Sequence, residues 1–255
     1  MPPDAAAPLF FTFRPAKYHA MKRFWEAALA VPRLEGGYGV VLDSRPLRLP
    51  GGNILTTESR PLAEAIAEEW HKAGGTKGGE MRQDDVPLTR LLGAAQERIA
   101  PDPKPMVEGL ARYGETDLLC YRAEDHRLAA RQAEAWQPVL EWAALALDAP
   151  LSTTQGLMPV PQAPASLAAL QAAVARHDAA GLAALGVAVP ALGSLVLGLA
   201  LSLGRLDAKE AHRLAILDEL YQEEFWGSDE EAAARRADRL AEVRLAARFM
   251  ALMAG

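Results

Sequence analysis

The sequence predicts an α+β fold, in which a small N-terminal antiparallel β-rich domain with flanking helices precedes a C-terminal all-α helical bundle. Residues 29–57 alternate short apolar runs with glycine and proline turns, a pattern typical of an antiparallel meander. From Asp125 onward, most segments show helical periodicity and helix-capping residues. A chain of 255 residues is long enough for two cores. We place the boundary after Arg122, which gives domains of residues 1–122 and 123–255.

The predicted elements of the N-terminal half follow one another closely. They are an edge strand or arm at 10–13, a hairpin of 29–35 and 38–43 closed by Gly36 and Gly37, short strands at 47–49 and 54–57, and helices at 60–73, 88–99 and 105–113. Ser59 is the expected cap of the first helix, which should end at Gly74, and Pro87 opens the second. Residues 113–122 are interpreted as a core strand or helix end, with Asp117 and Arg122 as charged rims.

The C-terminal half is predicted to consist of helices and one irregular connection. The expected helices are 125–147, 165–177, 182–203 with a break at Pro190, one helix of about five turns ending at Gly227, and 229–253. The polar, proline-rich residues 151–164 should connect the first two of them without regular structure.

Composition excludes several classes of protein. A hydrophobic content of 50% with 24% charged residues is ordinary for a globular protein. The net charge of -6 and the pI near 5.5 argue against a nucleic-acid partner, because phosphate contacts require a basic surface. A partner with a basic or apolar surface fits better. Cys120 is the only cysteine, so a disulfide and a thiolate metal site are excluded within the chain, and its apolar neighbours predict a buried thiol with a raised pKa.

The N-terminus and the uncharged residues 187–204 determine where in the cell we expect the protein. The N-terminal residues lack the pattern of a secretory signal or a transit peptide, which predicts a cytoplasmic bacterial protein. Residues 187–204 carry no charge, but Pro190, Gly193 and Gly198 interrupt them. We expect a buried helix here and no stable membrane insertion. The alternative is a membrane-associated protein that uses this segment and partitions into detergent.

Residues 214–229 crowd acids and aromatics together and contain no lysine or arginine. Asp207 and Glu210 have the spacing of a capping box. An apolar stripe is expected to face the core, and it comprises Leu214, Leu217, Tyr221 and Phe225. Glu219, Glu223 and Trp226 fall on a different face, which suggests a surface meant to be covered. The alternative from the residues alone is that Trp226 packs under a neighbouring helix and the acids form a solvated face.

The motifs of common active sites are missing from the sequence. The histidines are scattered along the chain without metal-ligand spacing, and they are His19, His71, His126, His177 and His212. Residues 74–80 lack the spacing of a phosphate-binding loop. Ser194 follows Gly193 inside an apolar helix, where a small packing residue is expected, and no G-x-S-x-G motif occurs. We therefore predict no cofactor, no metal site and no catalytic residues.

Seven short motifs, in order from residue 22 to about residue 227, resemble a known family. They are R-F-W at 23–25, G-G-Y-x-V-x-L-D-x-R-x-L at 36–47, A-x-E-W at 67–70, P-L-T at 87–89, T-D-L-L-C-Y-R at 116–122, Q-x-x-x-W-x-P-x-x-E-W at 132–142, and L-x-E-x-Y-Q-x-x-x-W-G at 217–227. The family is that of the assembly chaperones of the ATP synthase F(1) sector, which bind its free α subunit in mitochondria and alphaproteobacteria.

The resemblance implies a holding chaperone without catalysis, which masks the interface of the F(1) α subunit until a β subunit replaces it. It also implies that an acidic residue of the last motif matters, which corresponds to Glu219. The expected client-binding residues are Asp218, Glu219, Tyr221, Gln222, Glu223 and Trp226. We expect the free chaperone to be a monomer. Mitochondrial members carry a His-Asp element shortly after W-G, where this chain has residues 228–231, S-D-E-E, so no role is carried over to them.

A competing hypothesis is an enzyme that uses Glu219 or Glu223 as a general base in a cleft between the domains.

Overall fold

The computed structural model describes residues 21–156 and 158–255, and their contacts group them into two compact units. The sheet unit contains residues 21–103, 178–184 and 245–255, and the helical unit contains residues 104–177 and 185–244. The α+β class is confirmed, because small antiparallel sheets precede a mostly helical region. The boundary after Arg122 stays a prediction for where the chain divides into folding domains. Residues 10–13 and His19 lie outside the described residues.

The described strands are short and form small sheets. They are β1 (Met21–Lys22), β2 (Ala28–Pro32), β3 (Tyr38–Leu42), β4 (Arg45–Pro46), β5 (Thr56–Thr57), β6 (Glu80–Met81), β7 (Tyr121–Arg122) and β8 (Thr154–Gln155). In the main sheet β3 pairs antiparallel with β2, β4 and β5, whereas β1 pairs with β6, and β7 runs parallel to β8. The predicted hairpin is confirmed, and Gly36 and Gly37 close it with φ of 97° and 68°. The predicted strand 47–49 is reduced to one bridge between Arg48 and Ile54.

Helices account for most of the remaining structure. They are α1 (Arg60–Lys72), α2 (Pro87–Ala94), α3 (Lys104–Ala111), α4 (His126–Ala146), α5 (Pro164–Ala175), α6 (Ala179–Leu192), α7 (Leu195–Ser202), α8 (Ala208–Ala215), α9 (Leu217–Trp226) and α10 (Glu230–Ala254). A π-helical turn, Ala95–Ile99, prolongs α2, so the predicted helix 88–99 is confirmed in extent. Ser59 caps α1, since its Oγ accepts a hydrogen bond from the N–H of Leu62.

The core of the sheet unit is built on two tryptophans that are held by hydrogen bonds. The indole N–H of Trp25 donates to the carbonyl of Trp70 (2.9 Å), and the indole N–H of Trp70 donates to Oγ1 of Thr89 (2.8 Å). Arg23 is buried beside them, and its guanidinium donates to five backbone carbonyls, which offsets the cost of burying the charge.

Glu69 joins α1 to the start of α2 in the same unit. Its carboxylate accepts hydrogen bonds from the backbone N–H groups of Leu88 (2.7 Å) and Thr89 (3.2 Å), which are among the free donors of the first helical turn. Burial raises the pKa of Glu69 to about 7, although these hydrogen bonds favour the charged form.

The break in the apolar helix of residues 182–203 lies elsewhere than predicted. Helix α6 continues through Pro190 to Leu192, and the chain turns at Gly193, which has φ of 64°. A proline in the last turn removes only one helical hydrogen bond, so the helix tolerates it. Ser194 is also misread as a simple packing residue: its Oγ caps α7 by accepting a hydrogen bond from the N–H of Leu197 (3.0 Å).

Asp117 is fully buried, so its interpretation as a charged rim is wrong. Its carboxylate accepts hydrogen bonds from the N–H of Leu119 (3.0 Å), the Oγ–H of Ser194 (2.8 Å) and the N–H of Val196 (3.0 Å). Burial raises the pKa of this carboxyl, and the three donors counteract that effect. Asp117 thereby ties the 3-10 turn Leu118–Cys120 to the start of α7.

None of the helices in the described residues is long and apolar enough to cross a membrane.

Candidate functional site

The acidic and aromatic segment forms two short helices, α8 and α9, and not the predicted single helix of five turns. The helical path is interrupted at Ile216, and the indole N–H of Trp136 donates to the carbonyl of Leu214 (3.0 Å). This hydrogen bond satisfies a carbonyl that is left free at the end of α8. The predicted ends are confirmed: Asp207 forms the capping box of α8, and Gly227, with φ of 82°, ends α9.

Helix α9 is attached to α4 through two of the predicted client-binding residues. Asp218 Oδ1 accepts a hydrogen bond from Nε2 of Gln132 (2.8 Å), and the hydroxyl of Tyr221 donates to Oδ1 of Asp125 (2.9 Å). Burial and the hydrogen bond to Asp125 raise the pKa of Tyr221. Both side chains therefore already have partners within the chain, and a role in client binding stays a prediction for each of them.

The predicted apolar stripe of α9 is wrong at Phe225. Leu214 and Tyr221 are buried as expected, but Phe225 is 58% exposed. Glu224, next to Phe225, forms an ion pair with Arg131 of α4 (2.5 Å), so α9 contacts α4 through a neighbouring side chain. The ring of Phe225 contacts that of Tyr221, with centroids 5.0 Å apart, and its remaining surface faces solvent.

The acids on the other face of α9 are engaged by arginines of α10. Arg239 Nη2 donates to Glu219 Oε1 (2.5 Å), and Arg236 Nη1 lies 3.7 Å from Glu219 Oε2. Arg236 also donates to Glu223, and the side chain of Arg236 is only 11% exposed. The interpretation as a solvated acidic face is therefore wrong, because these four side chains form a partly buried ion-pair network between α9 and α10.

Sequence reasoning missed Arg236 and Arg239, although a signal was present. The two arginines are three residues apart and share one face of α10, while Glu219 and Glu223 are four residues apart and share one face of α9. Two consecutive helices with complementary charges at these spacings would have suggested the pairing.

His212 of α8 lies against this network. It is buried, and its Nε2 is without a hydrogen-bond partner in the described part of the chain. Burial and the nearby charge of Arg239 lower the pKa of His212, which favours the neutral imidazole.

The exposed part of the candidate site is the end of α9 and the groove beside α10. Trp226 is 87% exposed, so the alternative in which it packs under a neighbouring helix is wrong. Gln222 is exposed as well. The groove has a volume of about 750 Å³, and its charged lining consists of Glu219, Glu223, Asp229, Asp238 and Glu242 with Arg235, Arg236 and Arg239. Five acids against three arginines give the groove a net negative charge.

No group of three histidine, cysteine, aspartate or glutamate side chains within residues 21–156 and 158–255 could hold a metal ion. The predicted burial of Cys120 is confirmed, and burial raises the pKa of its thiol to about 12.

Residues 22–144 match the family model described as ATP12 chaperone protein. The chain is also 27% identical, over 230 residues, to the mitochondrial protein atp12 of Schizosaccharomyces pombe, and the match covers 86% of this chain and 78% of that protein.

Two solved structures share the fold over most of the chain. The crystal structure of Atp12 from Paracoccus denitrificans is 45% identical with a TM-score of 0.85, and the match covers 91% of this chain and 98% of that one. The Atu1473 protein of Agrobacterium tumefaciens, titled a putative chaperone, is 36% identical with a TM-score of 0.84, and the match covers 91% and 86% of the two chains. These matches extend the similarity well beyond residue 144.

Proposed function

Because the chain belongs to the ATP12 chaperone family, we propose that it holds the free α subunit of the ATP synthase F(1) sector and masks its interface until a β subunit replaces it. Family membership supports the coarser conclusion that the chain is an assembly chaperone of the ATP synthase. The family model and the Agrobacterium tumefaciens relative are both described as chaperones, a non-enzymatic role, so the general-base hypothesis for Glu219 or Glu223 is set aside. The choice of the α subunit and the masking of its interface are the proposal.

The observation that carries the proposal is the exposed aromatic end of α9. Trp226 and Phe225 are adjacent, both lie largely in solvent, and Trp226 borders the groove next to α10. Large exposed aromatics are uncommon on a surface that is never covered, and tryptophan is enriched among the residues that dominate binding energy at protein interfaces. A holding chaperone needs such a surface, because it must replace the apolar contacts that its client will later make with another subunit.

Charge supports a particular kind of client surface. The groove is net negative and the whole chain carries a charge of -6, so a client interface that is apolar with basic groups at its rim complements it. Exposed charges of this kind contribute to the association rate and to release more than to affinity. We further propose that the free chaperone is a monomer and acts in a bacterial cytoplasm.

Co-expression with the α and β subunits tests the proposal. The fraction of α subunit that stays soluble should rise when the chaperone is present, and the α subunit should co-purify with the chaperone. Added β subunit should then release the chaperone from the complex. An α subunit whose solubility does not depend on the chaperone would refute the proposed function.

Replacing Trp226 by alanine tests the surface itself. Because Trp226 is exposed, the change should alter the free energy of unfolding by no more than about 0.5 kcal/mol. If Trp226 is a dominant contact, binding of the α subunit should weaken by about 2 kcal/mol, roughly 30-fold. Leu34→Ala is the matched control, since Leu34 is a fully exposed apolar residue of the sheet unit and should leave both quantities unchanged. Equal α-subunit affinity of the two variants would contradict the assignment.

A further inference from the structure

We infer that Arg236 and Arg239 are positioning residues for client holding: through their ion pairs with Glu219 and Glu223 they fix the direction of α9, and with it the place of Trp226. This inference rests on the proposed function. It gives the acidic residues of α9 an indirect role, which differs from the direct client contact that the sequence suggested for them.

The carboxylates of Glu219 and Glu223 already have partners in α10. Both oxygens of Glu219 face guanidinium groups, with Arg239 Nη2 at 2.5 Å and Arg236 Nη1 at 3.7 Å, and Glu223 accepts a hydrogen bond from Arg236. The side chain of Arg236 is largely withdrawn from water, so salt screens this network less than an exposed pair. A basic residue of a client would have to displace these arginines before it could bind either acid.

The connection between α9 and α10 is short. Residues 227–229 join α9 to α10, and the connection begins with Gly227 in a conformation that only glycine adopts easily. So short and permissive a connection does not by itself fix the angle between the helices. Trp226 follows Glu223 by three residues and therefore lies on the same face of α9. Any rotation of α9 that separates Glu223 from Arg236 consequently moves Trp226.

His212 lies close to the same charged side chains. Arg236 and Arg239 both act on this buried imidazole, and the charge of Glu219 opposes theirs. Reversal of the charge at residue 219 would place a third cation beside the two arginines and the buried, neutral imidazole, and the repulsion would push α9 away from α10. The structure therefore provides a route by which a change at Glu219 alters α9 without any contact between residue 219 and a client.

A charge swap separates the positioning role from direct contact. We expect Glu219→Arg and Arg239→Glu each to lose most of the α-subunit holding, measured as the soluble α fraction on co-expression. The double variant, which restores an ion pair with opposite polarity, should recover at least half of it. If the double variant holds no more α subunit than Glu219→Arg, residue 219 contacts the client and the inference is wrong. A soluble α-subunit fraction that is unchanged in Glu219→Arg would also contradict the positioning role.

A second measurement needs no client. The chain has five tryptophans, and after labelling with 5-fluorotryptophan the ¹⁹F resonance of Trp226 is identified by its loss in Trp226→Phe. This resonance should shift in each single variant and return in the double variant, while the resonances of the buried Trp25 and Trp136 stay in place. A general loss of stability would not produce this selective shift. A Trp226 resonance that stays unmoved in the single variants would refute the positioning role.

The two failures are distinguishable. If the unaltered chain holds no α subunit, the proposed function fails, whereas the fluorine spectra still decide whether the ion pairs position Trp226. Arg60→Glu is the control, because Arg60 forms an exposed ion pair with Glu64 one turn away in α1. It should change neither the soluble α fraction nor the Trp226 resonance.

Discussion

Replacing Asp117 by alanine is expected to destabilise the helical unit by about 3 kcal/mol. The change leaves two buried backbone donors, the N–H groups of Leu119 and Val196, without an acceptor, and it removes the acceptor of the Ser194 hydroxyl. Each unsatisfied backbone donor costs about 1–3 kcal/mol, which gives roughly 2–6 kcal/mol for the two. Part of this cost is returned, because alanine does not bury an ionisable group.

Urea unfolding followed by circular dichroism measures this effect. Asp207→Ala is the matched control: Asp207 also accepts a backbone hydrogen bond at a helix start, from Glu210 (2.8 Å), but it does so at the surface. Loss of an exposed cap costs about 1 kcal/mol. The loss of stability in Asp117→Asn should lie between those of the two alanine variants, since an amide retains one of the two acceptor oxygens.

Unfolding of the Asp117 and Asp207 variants shows whether burial makes the hydrogen bonds of Asp117 more important for stability. If Asp117→Ala lowers the free energy of unfolding by no more than Asp207→Ala, within about 0.5 kcal/mol, burial does not determine how much the Asp117 carboxylate contributes to stability. In a thermal scan the expected difference of about 2 kcal/mol corresponds to roughly 4–8 °C in Tm for a protein of this size.

The raised pKa values of Glu69 and Cys120 predict a pH dependence of stability and an unreactive thiol. Burial raises the pKa of Glu69 to about 7, from 4.5 in an unfolded chain, so its contribution to stability is complete below about pH 4.5 and is lost as the pH rises to about 7. After allowance for partial exposure, we expect the free energy of unfolding to fall by roughly 1–2 kcal/mol between pH 5 and 7.5, as measured by urea unfolding. The variant Glu69→Gln should not show this decrease, and equal pH dependence of the two proteins would contradict the expectation. The thiol of Cys120, buried and with its pKa raised to about 12, should resist an aromatic disulfide reagent at pH 8 until the chain is unfolded, and rapid reaction of the folded chain would show that the site is open.

Features that depend on residues close together in the chain could be predicted from the sequence. The N-caps Ser59 and Asp207 and the hairpin turn at Gly36 and Gly37 were all predicted, because the donor, the acceptor or the required backbone angle lies within three residues of each. The fold class followed from the same local signals.

Features that depend on distant residues could not be predicted in this way. Asp117 resembles a surface acid until Ser194, 77 residues later, supplies its buried partner. Glu219 appeared to be a free acid because Arg239 belongs to the next helix. The exposure of Phe225 depends on which elements pack against the end of α9, and helical periodicity within α9 contains no information about that.

The last helix also constrains how this chain can be made. Helix α10 belongs to the helical unit up to Arg244, and residues 245–255 belong to the sheet unit, where the Ser59 hydroxyl donates to the carbonyl of Leu252. During synthesis on a ribosome, the sheet unit therefore cannot complete its contacts until residues 245–255 have left the exit tunnel. Residues 21–103 of the sheet unit are therefore synthesised well before the segment that completes their packing.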